Sequence, residues 1–210
     1  MDGLTSFKVR VTFLEEALGS LPGDDKVYEA FIASNAPDAK TRSEEIEASS
    51  AQEVIDKGTT VFLKSDSGNP YLWDYQMKGF FKEAMKAMGE VKSSKCSQIK
   101  AYKKKIDNNV FVSPRQIPLY LEEGKLVSSE DMGLCQRPLR ASTAQGERVA
   151  LAISETVPAG TFFDIEIKIL GDNGVMQDAI KECLDYGELK GLLQWRNSGK
   201  GRFTWELIED

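Results

Sequence analysis

A glycine-rich stretch at residues 187–205 holds the side chains best suited to chemistry. Arginine and lysine hold phosphate groups, and an exposed aromatic ring stacks on bases. Glycine permits positive φ angles and lets a second backbone approach closely. The stretch therefore indicates either an anion-binding loop or a β-hairpin whose glycines only make the turn. The candidate contact residues in it are Arg196, Asn197, Gly199, Lys200, Gly201 and Arg202.

Histidine is absent from all 210 residues. Its absence removes the commonest general base and excludes Ser-His-Asp and Cys-His nucleophile arrangements. Catalysis would then need carboxylates and a metal held by oxygen ligands. No aspartates group at metal-ligand spacing, so we expect no metal, no cofactor and no enzymatic activity. The aspartates considered for such a site are Asp24, Asp25, Asp74 and Asp164.

Cysteine usage and composition bound the class of protein. Cys96, Cys135 and Cys183 are odd in number and widely separated, which argues against a disulfide framework or a zinc site. Hydrophobic residues make up 41% of the chain and charged residues 29%, which is typical of globular proteins. No apolar run reaches the roughly 20 residues of a membrane span, and no secretory signal is visible. These features predict a soluble cytoplasmic protein with no membrane partner.

Charge is distributed unevenly along the sequence. The net charge is −6, which normally argues against a nucleic-acid partner. Residues 92–148, however, hold 11 basic and 6 acidic side chains, a basic zone inside an acidic protein. Such asymmetry indicates either one anion-attracting face or solvated lysines without a ligand. The candidate contacts in this zone are Lys103, Lys104, Lys105, Arg137 and Arg140.

The elements that must position these residues follow from periodicity. Residues 7–13 alternate apolar and polar side chains, as in a strand. Residues 80–88 have helical apolar spacing, and Gly79 is placed near the start of that helix. A helix start presents backbone N–H groups that favour an anion, so Lys78 and Gly79 are further candidate contacts. Residues 161–170 predict a strand, residues 175–186 an amphipathic helix, and the stretch after it a closing hairpin.

This order of elements predicts an α+β fold of the ferredoxin-like (RNA-recognition-motif-like) type, with helices on one face of an antiparallel sheet. No linker is visible in the sequence. We therefore expect one continuous domain over residues 1–210, or two duplicated ferredoxin-like halves with a boundary near 106–118.

Three scattered stretches resemble one known family. Gly191-Leu192-Leu193, five residues and Gly199-Lys200-Gly201 are similar to the C-terminal glycine-rich loop of the RAMP superfamily of CRISPR-associated proteins. That pattern is Gly-apolar-Gly, five residues, Gly-apolar-Gly, so Leu193 replaces a glycine and Lys200 an apolar residue. Residues 77–84 resemble the family's lysine-glycine helix, and residues 161–186 its closing strand and helix. Over the chain the resemblance covers roughly residues 7–13, 71–88 and 158–205.

The resemblance implies a ferredoxin-like fold and binding of guide RNA, as a backbone subunit or a processing nuclease. The nucleases often use a histidine, which this chain lacks, so a non-catalytic RNA-binding role is the first hypothesis. Some backbone subunits cleave target RNA with a loop aspartate, and Asp24 or Asp25 could lie in such a loop.

Two other hypotheses remain open at this point. Acidic net charge and the aromatic residues favour a protein-interaction or assembly protein on the same fold, of accessory or phage type, without RNA binding. A carboxylate-and-metal enzyme is the third hypothesis. The aromatic residues considered as interface anchors are Tyr71, Trp73, Tyr75, Trp195 and Trp205.

Overall fold

The computed structural model describes residues 3–22, 59–143, 146–171 and 174–209, with the backbone alone over 139–143 and 146–151. The helices in these ranges are α1 (Asp74–Met88), α2 (Tyr102–Asn109) and α3 (Val175–Lys190), with 3-10 turns at Lys95–Gln98 and Arg196–Ser198. The strands are β1 (Leu4–Phe13), β2 (Ala17–Leu18), β3 (Leu21–Pro22), β4 (Thr59–Val61), β5 (Leu63–Lys64), β6 (Pro70–Trp73), β7 (Val110–Ser113), β8 (Gln116–Pro118), β9 (Tyr120–Glu122), β10 (Lys125–Leu126), β11 (Gly133–Thr143), β12 (Gly146–Val157), β13 (Phe162–Leu170) and β14 (Phe203–Leu207).

The central sheet draws its strands from both ends of the chain. β1 lies between β13 and β14, and β7 pairs with the other side of β13, so the spatial order is β7, β13, β1, β14. Each of these pairings is antiparallel. The chain passes through α1 between β1 and β7, and through α3 between β13 and β14. This β-α-β-β-α-β course with its antiparallel sheet is ferredoxin-like, which confirms the predicted fold class.

Alternation along the strands builds the core. Val9, Val11 and Phe13 of β1 are buried. Lys8 and Arg10, at the alternate positions of the strand, lie on the other face of the sheet. The same pattern recurs along β13. Both long helices cover the buried face and pack against each other. The buried residues on the helices are Met77, Phe80, Phe81, Ala84 and Met85 of α1, and Met176, Ala179, Ile180, Cys183, Leu184 and Gly187 of α3.

Two smaller sheets form from the segments inserted into this frame. One has the order β11, β12, β4, β3, with β2 also paired to β12. The other has the order β5, β6, β8 and leads directly into α1. The β4 and β5 strands are consecutive in the chain but belong to different sheets, and the buried residue Phe62 lies between them. The inserted segments therefore place β6 and β11, which carry candidate contacts, beside the ferredoxin-like frame.

The start of α1 corrects one prediction. The helix begins at Asp74 rather than near Gly79, because the Gln76 side chain accepts the Trp73 backbone N–H at 2.8 Å and Asp74 places a carboxylate in the first turn. Both features favour a helix N-terminus, and both were legible in the sequence. Gly79 therefore lies in the interior of the helix, where its N–H is not an exposed end group. The anion-binding argument from a helix start does not apply to it.

Candidate nucleic-acid interface

The glycine-rich loop is closed by contact between its own two ends. The Leu192 N–H donates to the Gly201 carbonyl at 2.8 Å, and the Gly201 N–H donates to the Glu16 carbonyl at 3.0 Å. Gly201 has a φ of +68°, and a Cβ there would lie 2.1 Å from the Leu192 carbonyl oxygen. Only glycine fits that approach without moving the backbone. The glycine at this position thus serves the fold of the loop.

The stretch after α3 is not the predicted closing hairpin. β14 pairs with β1 instead of with a neighbouring strand of the loop, because the loop turns the chain back toward the N-terminal strand. The Leu14 N–H donates to the Arg202 carbonyl at 2.7 Å, at the point where the chain enters β14. Gly187, in the last turns of α3, lets the Phe203 ring pack directly on the helix, since a Cβ there would lie 2.0 Å from that ring.

Two non-glycine residues of the loop have left-handed backbone conformations. Leu193 has a φ of +68° and Trp195 a φ of +60°. Such conformations cost of order 1–3 kcal/mol for residues other than glycine, and they persist where the surrounding structure requires them. Leu193 occupies the position at which the related loop pattern has glycine. The backbone at Leu193 therefore has a conformation that favours glycine.

An open cavity of about 440 Å³ lies between the loop and β11. The Arg137 guanidinium lies against the face of the Trp195 ring there. Arg137 Nε and Trp195 Nε1 are both buried, and neither has an acceptor among the described residues. Burial lowers the pKa of Arg137 from its ordinary value. The cavity is lined by Arg137, Lys190, Leu193, Gln194, Trp195, Arg196, Asn197 and Ser198.

Buried N–H donors without acceptors are costly, and native proteins satisfy nearly all of them. The cavity lining thus includes a guanidinium and an aromatic ring, each of which carries a buried N–H without an acceptor among the described residues. A phosphate or a base edge supplies such an acceptor. Among the described residues, no carboxylate pairs with Arg137.

The other cations of the loop already have acidic partners. Arg196 pairs with Glu83 of α1, and Lys200 pairs with Glu16. That hydrogen bond to Glu16 raises the pKa of Lys200. Arg202 donates to Glu15 at 2.8 Å. These glutamates are distant from the loop in the sequence. The residues near the loop therefore gave no indication that its cations form ion pairs.

The remaining loop residues have local roles. The Asn197 side-chain oxygen accepts a hydrogen bond from Lys190 at 2.9 Å. Gly199 has a φ of +83° and ends the 3-10 turn Arg196–Ser198. Of the candidate contacts, the structure brings Arg137, Arg196 and Asn197 together at the cavity. Gly199, Lys200, Gly201 and Arg202 lie outside its lining.

A second group of candidate contacts lies on α1 and α2, away from the cavity. Lys78 of α1 donates to the Asp107 carbonyl at 3.2 Å, and its ammonium lies 5.5 Å from the centre of the Phe111 ring. Gly79 is exposed, and a Cβ added to it would meet no atom within 4 Å. The helix α2 packs against α1, and its three lysines, Lys103, Lys104 and Lys105, are exposed.

Arg140 lies on β11, where its backbone pairs with Val149 of β12. It is three residues along the same strand from Arg137. Arg137 lines the cavity, whereas Arg140 is not part of the cavity lining.

Trp195 lines the cavity but is not among the candidate RNA contacts predicted from the sequence. The sequence pattern groups it with the aromatic interface anchors, although its position beside Arg196 and Asn197 indicates a shared surface. Lys190, Gln194 and Ser198 were not singled out, and their types carry no signal without the fold.

Two of the aspartates considered for metal chemistry, Asp74 and Asp164, lie within the described residues. The Arg10 guanidinium holds the Asp164 carboxylate with two hydrogen bonds of 2.8 Å, and Asp74 lies at the start of α1. Asp24 and Asp25 lie outside the described residues. Within the described ranges, no group of three or more His, Cys, Asp or Glu residues is placed to hold a metal ion. None of the described helices is long and apolar enough to cross a membrane.

A solved structure contains a chain of similar fold. No protein-family model matches the chain, and no curated protein matches it in sequence. A chain in the cryo-EM structure of the Type III-B Cmr-beta bound to cognate target RNA is similar, with a TM-score of 0.52 and 12% identity; the match covers 99% of this chain and 60% of that chain. The present chain therefore spans about 60% of that neighbour's length. The crystal structure of Cmr6 from Pyrococcus furiosus gives a TM-score of 0.48 and 13% identity, covering 97% of this chain and 99% of that chain.

Proposed function

We propose that this protein is a non-catalytic RNA-binding protein of the RAMP type, related to the subunits of CRISPR effector complexes. The ferredoxin-like fold, the glycine-rich loop and the left-handed conformation of Leu193 support this relationship. A structural neighbour whose complex is bound to target RNA supports RNA as the ligand. The proposed partners are therefore RNA and the protein subunits of such an assembly.

One observation carries the RNA-binding part of the proposal. Arg137 and Trp195 line an open cavity with two buried N–H donors that have no acceptor in the described residues. Arg137 is also the cavity guanidinium that no described carboxylate neutralises, whereas Arg196 pairs with Glu83. A phosphate at the Arg137 guanidinium would match its charge, while the tryptophan ring offers a face to a base.

Gly79 supports a second contact along α1. A glycine in a helix interior costs roughly 0.5–1 kcal/mol relative to alanine. Neither crowding nor a positive φ requires glycine at this exposed position. Close approach of an RNA backbone gives the residue a use, with Lys78 and the three lysines Lys103, Lys104 and Lys105 as phosphate contacts. Affinity from such contacts falls with salt and does not depend on sequence.

The loop cations have a smaller role in this proposal. Arg196, Lys200 and Arg202 each pair with a glutamate, so RNA must compete with that partner for the cation. Each of these half-buried surface pairs is worth on the order of 1 kcal/mol, which makes exchange feasible but reduces the net gain in binding free energy. We therefore expect Arg137 to contribute more to RNA affinity than Lys200 or Arg202.

The test is RNA binding by the purified chain at two salt concentrations, after its absorbance ratio at 260 and 280 nm has been recorded. A labelled single-stranded RNA is titrated at about 50 mM and about 200 mM salt, where affinity for a phosphate-binding protein falls steeply. Arg137→Ala should weaken binding roughly tenfold and reduce the salt slope by about 1.

Lys125→Ala serves as the matched control, because Lys125 is an exposed cation on β10, which lies outside both groups of contacts. It should leave affinity unchanged within about twofold. The double variant Lys200→Ala and Arg202→Ala should weaken binding less than Arg137→Ala does. An absence of co-purifying nucleic acid, together with undetectable affinity at the lower salt concentration, would overturn the proposal.

A further inference from the structure

Three aromatic rings form a continuous ladder at the junction of β6 and α1. The Tyr71 and Trp73 rings meet edge to face with centroids 5.3 Å apart. The Trp73 and Tyr75 rings are stacked, with an interplanar angle of 19° and centroids 6.2 Å apart. Tyr75 at the end of the ladder is 50% exposed. The ladder is thus a surface feature, and the core does not account for its geometry.

Rigid backbone holds the ladder in place. Trp73 pairs with Gln116 where β6 and β8 are antiparallel neighbours, and the Asp74 N–H donates to the Arg115 carbonyl at 3.0 Å. The same turn brings the Arg115 guanidinium to 5.6 Å from the Trp73 ring centroid. Arg115 is exposed, and its guanidinium lies beside this aromatic ring. The surface therefore combines stacked rings with a guanidinium beside them.

Cations continue from the ladder along α1. Residues three, four and seven apart lie on one face of a helix, so Tyr75 shares its face with Lys78, Gly79 and Lys82. Two acidic residues lie at this surface: Asp74 accepts the Tyr75 backbone N–H at 2.9 Å, and Asp107 pairs with Lys82. The exposed lysines of α2 lie beside the same face. The charge around the ladder is accordingly positive, in a protein whose net charge is −6.

We propose that Tyr75, Trp73 and Tyr71 are a base-stacking platform for single-stranded RNA, with Arg115 and Lys78 contacting the phosphates beside it. The inference rests on the proposed function because it takes the same class of ligand, but it uses a surface separate from the Arg137 cavity. Stacking on an aromatic side chain accepts any base, since each base has a π face. A protein partner could also use tyrosine and tryptophan as anchors, but the surrounding lysines and arginine complement a polyanion.

The experiment compares two RNA-like probes of equal length, single-stranded oligouridylate and an abasic ribose-phosphate oligomer. Tyr75→Ala should weaken binding of oligouridylate about 5- to 100-fold, the range for loss of one stacked base. It should leave affinity for the abasic oligomer and the salt slope unchanged, because no phosphate contact is lost. Tyr75→Phe keeps the ring and should retain wild-type affinity.

Leu189→Ala is the control for a general surface effect, because Leu189 is 77% exposed on α3 and outside the ladder. Thermal unfolding of each variant checks that the fold is kept. Unchanged oligouridylate binding by Tyr75→Ala overturns the platform while the proposed function stands if Arg137→Ala still weakens binding. If Tyr75→Ala weakens oligouridylate binding and Arg137→Ala does not, the result supports the platform and overturns the cavity site. If Tyr75→Ala weakens binding of both probes equally, base stacking is overturned. If the wild-type protein binds neither probe, both proposals are overturned.

Discussion

Glycine has opposite physical roles at two positions of this chain. At Gly201 the backbone has a positive φ and presses against the Leu192 carbonyl, so any side chain strains the loop. At Gly79 the helix is regular and the space above it is empty, so glycine only weakens the helix. The first glycine is required by the fold. Under the proposed function, the second leaves room for a ligand that approaches the helix backbone.

We predict that Gly79→Ala and Gly201→Ala change stability in opposite directions. Gly79→Ala should stabilise the protein by roughly 0.5–1 kcal/mol, since alanine is the better helix former. Gly201→Ala should destabilise it by about 2–3 kcal/mol through backbone strain and overpacking. Urea unfolding measures both. Under the proposed function, Gly79→Ala also weakens RNA binding despite the gain in stability; a variant with both higher stability and full affinity would contradict that role.

At the scale of elements, a single carboxylate joins α3 to the 3-10 turn Lys95–Gln98. Glu182 of α3 accepts hydrogen bonds from the Lys95 N–H at 3.0 Å and the Cys96 N–H at 3.3 Å, and it also accepts the Ser94 hydroxyl. Burial alone would raise the pKa of the Glu182 carboxyl, but these hydrogen bonds together hold it below its ordinary value of 4.5. The ionised carboxylate therefore fastens this turn to the helix layer.

We predict that Glu182→Gln destabilises the protein by about 1–3 kcal/mol at neutral pH, through the loss of hydrogen bonds to a charged acceptor. Because folding lowers this pKa, the stabilisation is present above the unfolded value of 4.5 and is lost as pH falls through the lower folded value. The gap between wild type and variant should therefore narrow below about pH 4.5. Denaturant unfolding over a pH series measures it.

Glu188→Gln is the matched control for this prediction, because Glu188 is exposed on the same helix. It should change stability by less than about 0.5 kcal/mol. A Glu182→Gln penalty that stays constant from neutral pH to pH 3 would contradict the role given to the carboxylate.

At the scale of the whole molecule, the sheet ties distant parts of the chain together. β1 pairs on both sides with strands from the last third of the sequence, and β7 at residues 110–113 belongs to the same sheet. A boundary near 106–118 would separate β1 from both its partners. We therefore infer that the single-domain description applies to the described residues.

We predict that the protein unfolds in one cooperative transition, because neither half of the sequence can complete the central sheet alone. Tryptophan fluorescence and far-UV circular dichroism should give coincident urea curves with the same midpoint. Trp73 reports on the first half of the chain, and Trp195 and Trp205 on the second. Two separated transitions would instead support two ferredoxin-like halves.

The local sequence pattern determined the type of four main elements, β1, β13, α1 and α3, and the type of the fold. Neighbouring residues show which face of each element is buried, through alternation in the two strands and apolar spacing in the two helices. The order of the elements then selected the ferredoxin-like fold. The start of α1 was missed because the apolar spacing of residues 80–88 outweighed the signals at Asp74 and Gln76.

Only the tertiary structure decided what the chemical side chains do. The sequence indicated Arg196, Lys200 and Arg202 as candidate cations of the loop and Arg137 as one of the basic zone, but charge pairing depends on partners that the fold brings from far away. Glu15, Glu16 and Glu83 neutralise the three loop cations, whereas Arg137 lies on Trp195 with no described carboxylate beside it. The types of neighbouring residues in the sequence indicate a capacity for binding. Long-range contacts decide which of the side chains remain available for a ligand.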